Sequence, residues 1–369
     1  MRILVVATDI VLPGRHGGST HVRELVDHLG HHGETLLLAS RGSSGPGIAP
    51  VGRPMRRFPA ALRHADALRT FLDAGSIVEE FRPDVIYERC TSYGVGAMFS
   101  RERGIPLLSM LLDRRFSWLS LAQASRIVAT DPDAVVPASM HHKAVKVSWG
   151  ANEGRFHPGI DPRPVRDRYG LGDAFVVGYA GTFRPWHGVD VLVRAIGRIR
   201  HENVKVLLVG DGPGRADIEA LVAREGLQDR FVFTGAVDYD EVPETLSAAD
   251  IAAAPFEPRF HKGSRGGGFV LDPLKVFEYL ALGKPTITVR EPNIAALFDD
   301  GEDLLLVTPG SDRELAEAIL RFEKERAFAA ATAERGRVKV LAKHTWGAHA
   351  KQLVGLFEDM LRERPRRVR

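Results

Sequence analysis

Short apolar runs alternate along this chain with segments whose apolar positions recur every three or four residues. That is the pattern of strands alternating with helices. The first run is Ile3 to Ala7. A Gly-rich turn, Gly14-Arg15-His16-Gly17-Gly18-Ser19, follows it, and Val22, Leu25, Val26 and Leu29 then share one helical face. Glu34 to Ala39 is the next predicted strand, Gly42 to Pro54 reads as a mobile loop, and Pro59 to Gly75 reads as helix. Val85-Ile86-Tyr87 and Pro106 to Leu112 read as buried strands. Near residue 175 the pattern starts again, with the strand Phe175 to Ala180, the turn Gly181-Thr182-Phe183-Arg184-Pro185-Trp186-His187-Gly188 and the helix Val189 to Ile199. Val204 to Val209, Phe231 to Phe233 and Ile251 to Pro255 continue the strands, and Trp346 to Leu361 is helical by pattern.

Two α/β halves in tandem follow from that restart, with a link expected in Gly150 to Pro164, which carries Pro158 and Pro162. The expected division is an N-terminal domain over 1–160, a C-terminal domain over 161–345, and a C-terminal helix with a basic tail over 346–369, the helix packing back on the first domain. Ligands of open α/β sheets bind beyond the carboxyl ends of their strands, so those edges are where chemistry is expected.

Composition narrows the classes. A chain of 369 residues with 44% hydrophobic content has material for two cores. A net charge of +3 gives no argument for a nucleic-acid partner, and the basic end from Arg362 to Arg369 reads as a solvated tail. Cys90 is the only cysteine, which leaves no intrachain disulfide and no zinc site built on cysteines. His31-His32 and His141-His142 are neighbours in sequence; such neighbours diverge on a helix, and no metal site is read from them. Met1 to Ala7 reads as a strand and not as a signal peptide, and the expectation is a soluble cytoplasmic protein.

The chemistry concentrates in Asp272-Pro273-Leu274-Lys275-Val276-Phe277-Glu278-Tyr279-Leu280, which follows the Gly-rich basic loop Lys262 to Gly268. Asp272 reads as a helix cap and Pro273 as the first helical residue, so backbone N–H groups would face an anion. Lys275 and Glu278, three apart, share one helical face, while Leu274, Phe277 and Leu280 hold the other in the core. One helix end thus offers N–H donors and a cation to a phosphate, and a carboxylate to a hydroxyl, which suits a sugar nucleotide.

These residues resemble the GT-B glycosyltransferases of the retaining family 4 type, over nearly the whole chain. The resemblance rests on Gly17-Gly18, Tyr87-Glu88-Arg89, the turn Gly181 to Gly188, Leu207 to Pro213, Phe233-Thr234-Gly235, Ala249-Asp250-Ile251 and the block Asp272 to Pro285. It implies two Rossmann-like domains facing each other across a cleft, an α/β fold in which the second domain holds a nucleoside diphosphate sugar and the first holds the acceptor. It also implies retention of anomeric configuration and no required metal or cofactor beyond the donor, of UDP or GDP type. By resemblance, Glu278 would bind the ribose hydroxyls, Gly17 and Gly18 would let backbone approach the diphosphate, and the backbone at Val237 would meet the base. The donor set is completed by Thr182, His187, Arg265, Gly268, Phe269, Val270, Leu271 and Asp272.

Departures from the family pattern bear on the chemistry. A glutamate that commonly stands eight residues before the second one is here Val270, and Asp272 is the candidate replacement. Thr182 and His187 occupy positions where an Arg and a Lys usually meet the diphosphate, and Arg184 and Lys275 are the expected substitutes. Asp113 stands where a histidine often follows the strand ending at Leu112; as a carboxylate it could take a proton from an acceptor hydroxyl or bind an amine. The catalytic candidates are therefore Asp113, Arg184 and Lys275.

Each assignment has a plainer counterpart. Gly14 to Ser19 could be only a turn, Glu278 and Lys275 only solvated helix charges, His187 a brace for its turn, and Lys262 and Arg265 solubilising loop residues. Gly210-Asp211-Gly212-Pro213-Gly214 lacks dinucleotide spacing and reads as an ordinary tight turn. The Arg-rich stretch from Arg56 to Arg69 reads as an amphipathic helix on its own domain ahead of a membrane-docking segment. The reading is a glycosyltransferase acting on a small or medium acceptor, in natural-product or polysaccharide biosynthesis. A sugar-nucleotide epimerase and a non-catalytic nucleotide-binding descendant stay open as alternatives, the latter because of Val270 and Thr182.

Overall fold

The computed structural model describes residues 1–14, 17–53, 59–114, 116–201, 203–261 and 272–363. Two compact units divide the chain: one comprises Met1–Ser148 with Trp346–Arg369, the other Trp149–Thr345.

The first unit carries strands β1 (Arg2–Ala7), β2 (Glu34–Ser40), β3 (Ile48–Gly52), β4 (Val85–Arg89), β5 (Leu107–Leu111), β6 (Arg126–Ala129) and β7 (Ala144–Lys146). They pair in parallel in the order β3-β2-β1-β4-β5-β6-β7. β1, β4 and β5 are buried almost throughout, as continuous apolar runs covered on both faces should be. β3 falls inside Gly42 to Pro54, which the sequence pattern assigned to a loop. It is an edge strand on β2 and contains Pro50, a residue that an edge tolerates because no ladder bond is lost to solvent.

The chain end returns to this unit. The helix Trp346–Glu363 packs against the helix Gly17–Gly30, with Trp346 fully buried and its ring 5.6 Å from the ring of His21, edge to face. Leu353, Phe357 and Met360 recur on the buried stripe, and Gln352 Nε2 donates to the carbonyl of Lys146.

The second unit carries β8 (Phe175–Ala180), β9 (Val204–Val209), β10 (Phe231–Gly235), β11 (Ile251–Ala254), β12 (Thr286–Val289) and β13 (Leu305–Val307), all parallel, in the order β10-β9-β8-β11-β12-β13. Its core takes in Phe156, so residues just after Trp149 already belong to it. In each sheet the strand order reverses once, between β1 and β4 and between β8 and β11. These switch points are where side chains can gather beyond the strand ends.

Candidate active site

At the switch point of the second sheet, the turn after β8 meets the helix Leu274–Ala281. Gly181 has φ 143°, and a β-carbon there would stand 2.8 Å from Lys275 Nζ and 3.2 Å from the Tyr179 hydroxyl. Glycine is required for the backbone angle, and its missing side chain leaves room that the ammonium uses. Lys275 Nζ donates to the Tyr179 hydroxyl at 3.2 Å, and that hydroxyl donates to the carbonyl of Thr182 at 3.0 Å. The ammonium also lies 4.4 Å from the Tyr179 ring centre and 5.2 Å from that of Phe256, within cation–π range. No carboxylate among the described residues forms an ion pair with it. Part of the Lys275 side chain reaches the surface, yet its surroundings desolvate the charge and push its pKa down to about 7, against a smaller upward pull from Glu278.

His187 is buried, and its Nδ1 faces the carbonyl of Thr182, so the proton on Nδ1 braces the turn. Burial holds its pKa well below the usual histidine range, and the charge of Lys275 pushes the same way. The ring is therefore neutral, and with Nδ1 carrying the proton its Nε2 is an acceptor, which gives an anion nothing to bind. This contact supplies the brace for the turn. Arg184 stands exposed at the start of the same turn, without an ion pair among the described residues.

Glu278 lies one helical turn beyond Lys275 and is 7% exposed. Tyr239, just past β10, donates its phenolic hydrogen to Glu278 Oε1 at 3.0 Å. Val237, half-buried on the same core, precedes it. Tyr279 pins the helix to the end of β8, accepting from the amide of Ala180 at 2.7 Å and donating to its carbonyl at 3.3 Å. Val276, Phe277 and Leu280 fill the core below, so the helix is held on two sides.

The helix start differs from the sequence reading. The helix begins at Leu274, Pro273 precedes it with φ −80° and ψ 68°, and no side chain caps it. Asp272 instead accepts a hydrogen bond from the amide of Trp149 at 2.5 Å. The amides of Leu274, Val276 and Phe277 donate to the carbonyls of Asp272 and Pro273. Three of the first-turn amides are thus engaged within the turn, and the Lys275 ammonium adds a full positive charge beside them. Arg265, Gly268, Phe269, Val270 and Leu271 lie outside the described residues, as does the rest of the loop from Lys262.

In the first unit, Gly17 and Gly18 form the first turn of the helix Gly17–Gly30. A β-carbon on Gly17 would meet nothing within 4 Å, whereas one on Gly14 would stand 2.2 Å from Ser19 Oγ. Packing within this unit therefore explains Gly14 but leaves open space in front of Gly17. At the ends of β1 and β4, Arg89 pairs with Asp9 at 3.3 Å, both buried. Asp113, half-buried beyond β5, is close enough, with Asp9, to help raise the buried Cys90 thiol to about 11, an effect led by desolvation. Asp113, Asp9, Arg89 and Cys90 are thus gathered at one sheet edge.

Tyr179, Tyr239 and Phe256 belong to the site but were not among the sequence candidates. Tyr179 and Phe256 sit in or beside apolar runs and read as core, and only the three-dimensional approach of Lys275 gives them a role. Tyr239 lies two residues past Val237, a proximity that could have drawn attention to it.

The family described as glycosyl transferases group 1 matches residues 174–325, the stretch that contains the Lys275 and Glu278 helix. An alpha-D-kanosaminyltransferase of Streptomyces kanamyceticus is 25% identical over 53% of this chain and 48% of its own length. A 2-deoxystreptamine glucosyltransferase of the same organism is 29% identical over 59% of this chain and 50% of its own. The chain thus spans about half the length of these curated relatives. Among solved structures, Anabaena Alr3699/HepE in complex with UDP superposes with a TM-score of 0.74 at 20% identity, covering 97% of this chain and 100% of that one, a likeness in fold.

Proposed function

We propose that the chain is a group 1 glycosyltransferase with the GT-B fold that transfers a sugar from a nucleoside diphosphate sugar to a small polar acceptor. The observation that carries this reading is the joint placement of Lys275 and Glu278 on one helix beside the Gly181 turn. The ammonium, held against two aromatic rings without a carboxylate partner among the described residues, suits a diphosphate. The carboxylate one turn away suits the ribose hydroxyls, and the backbone at Val237 suits the base. Arg184 adds a second, exposed cation for the diphosphate.

In the proposed reaction, the bond from the anomeric carbon to the diphosphate oxygen breaks as negative charge grows on the departing diphosphate. Lys275 and Arg184 stabilise that charge where it develops. The acceptor oxygen bonds to the anomeric carbon on the face being vacated, with retention, and its proton passes to the diphosphate. No metal is called for by this scheme. Asp113, in the first unit, is assigned to the acceptor, as a hydrogen-bond partner for its hydroxyl or an ion-pair partner for an amine. The amino-sugar and aminocyclitol names of the two Streptomyces relatives support a small polar acceptor, and the UDP complex of the Anabaena neighbour supports a nucleoside diphosphate donor of UDP or GDP type.

Isothermal calorimetry with UDP and GDP, on the wild type and on Glu278→Ala, tests the donor half. A carboxylate hydrogen-bonded to ribose is worth enough that its loss should weaken binding by about 100-fold. Unchanged affinity in Glu278→Ala sinks the assignment. Proton spectroscopy of UDP- and GDP-sugars with a panel of aminocyclitols and simple glycans tests the transfer. Tight nucleotide binding with no transfer to any of them overturns the catalytic reading.

A further inference from the structure

Glu278 does not hold its own orientation. Its helix is fixed, because Phe277, Tyr279 and Leu280 are fully buried around it, but a glutamate side chain still turns about three bonds. Among the described residues, a contact that orients the carboxylate is the hydrogen bond from Tyr239 to Oε1 at 3.0 Å. Tyr239 is itself placed by two features. It opens the short helical turn Tyr239–Glu241 directly after β10, and its ring lies 5.9 Å from that of Phe156, which is 1% exposed in the core. The phenol is thus held from one side by core packing while its hydroxyl reaches the carboxylate on the other.

We infer that Tyr239 is a positioning residue for the nucleotide: its phenol locks the Glu278 carboxylate in the plane that receives the ribose hydroxyls. This rests on the reading of Glu278 as the ribose ligand given above. The chemistry is direct. A carboxylate that accepts a phenolic hydrogen at one oxygen keeps its remaining lone pairs in a fixed plane, so the vicinal hydroxyls of a ribose meet an acceptor already aimed. Without the phenol, Glu278 spends more of its binding energy on ordering itself and loses one hydrogen bond that offsets its desolvation. Tyr239 also follows Val237 within the same short segment. The stretch whose backbone is assigned to the base therefore carries the group that aims the ribose ligand, and sugar recognition is built onto base recognition.

The test compares Tyr239→Phe, which removes one oxygen and keeps the ring against Phe156, with the wild type and with Glu278→Ala. Calorimetry is run with whichever of UDP and GDP binds the wild type more tightly, and with its 2′,3′-dideoxy counterpart, which lacks both ribose hydroxyls. The expected result in Tyr239→Phe is about a tenfold loss of affinity for the ribonucleotide, with affinity for the dideoxynucleotide unchanged. The preference for ribose thus shrinks in Tyr239→Phe and vanishes in Glu278→Ala. A full ribose preference in Tyr239→Phe overturns the positioning role while leaving Glu278 as the ribose ligand. An equal loss for both nucleotides marks Tyr239 as merely structural and also overturns it. A ribose preference that survives in Glu278→Ala overturns both the role and the reading beneath it.

Discussion

Lys275 keeps an ammonium ion in a place that favours the neutral amine. Rings of Tyr179 and Phe256 face it, a phenol accepts one of its hydrogens, and the nearest charge that helps it is Glu278, one helical turn away. Burial brings its pKa down to about 7, against 10.5 in an unfolded chain. The unfolded state therefore binds more protons than the folded state between those two values, and stability rises with pH across that window. Replacing the ion with Lys275→Met should raise the thermal midpoint at pH 6.5 and raise it less at pH 9. The same titration governs anion binding with the opposite consequence. As pH climbs from 7 to 9 the free protein loses the charge that a diphosphate needs, so nucleotide affinity should fall by up to about tenfold per pH unit in the wild type. It should stay flat in Lys275→Met, and a wild-type affinity independent of pH between 7 and 9 would show that the ammonium does not meet the diphosphate. The pairing of Lys275 with Glu278 on one face was legible in their spacing of three. The helix cap was not. Asp272 looks like a capping residue because the sequence places it before a proline and an apolar repeat, yet its carboxylate is drawn to the amide of Trp149, more than a hundred residues away. A contact of that range leaves no local trace.

Among the elements, the helix Val95–Arg103 shows how a buried charge is put to use. Glu88, at the end of β4 and fully buried, accepts hydrogen bonds from the amides of Gly94 and Gly96 at 3.0 and 2.9 Å, so a carboxylate from another element caps this helix. A β-carbon on Gly96 would stand 3.0 Å from the Glu88 β-carbon, so a larger residue would crowd the carboxylate at the cap. Desolvation raises Glu88 to about 7 although the Ser120 hydroxyl and these amides favour the charged form. With the folded pKa above the ordinary 4.5, the folded state holds the extra proton, and the stability this contributes is complete below pH 4.5 and lost as pH rises through 7. Glu88→Gln keeps an acceptor for both amides and carries no charge. Its thermal midpoint should match the wild type near pH 4.5 and exceed it by several degrees at pH 8. An equal difference at both pH values would mean that the carboxylate does not titrate with folding. The sequence marked Tyr87-Glu88-Arg89 only as part of a resemblance, since a strand-end glutamate looks like a surface charge until the turn of Gly94 folds over it. β3 was hidden for a related reason. Ile48–Gly52 contains Pro50 and Gly52 and follows Gly45-Pro46-Gly47, the composition of a loop, and becomes a strand only because β2 offers it an edge.

For the whole molecule, the tandem arrangement was readable because each half repeats strand, Gly turn and helix, and that repetition needs no long-range information. What periodicity could not supply is how each sheet orders its strands, which is what brings β8 beside β11 and so carries Tyr179, Lys275 and Phe256 to one edge. One buried cluster of the first unit runs from Leu4 to Leu107, and the cluster of the second unit runs from Ala151 to Val340. A ligand held by Lys275, Glu278 and the Val237 segment is anchored on the second unit's core. At a hundred times its dissociation constant it stabilises the unit that binds it by about 2.7 kcal/mol. For a unit of roughly 200 residues, that is a rise of about 5 to 10 °C in its melting point. Differential scanning calorimetry with saturating UDP or GDP should therefore raise the transition that belongs to Trp149–Thr345. Glu88→Gln at pH 8 should raise the other transition and leave the nucleotide-induced shift intact. The two effects should add in the combined experiment, because the sites share no residue and no core. A nucleotide shift that disappears in Glu88→Gln would mean that donor binding depends on the buried carboxylate of the first unit, and the independence of the two effects would have to be abandoned.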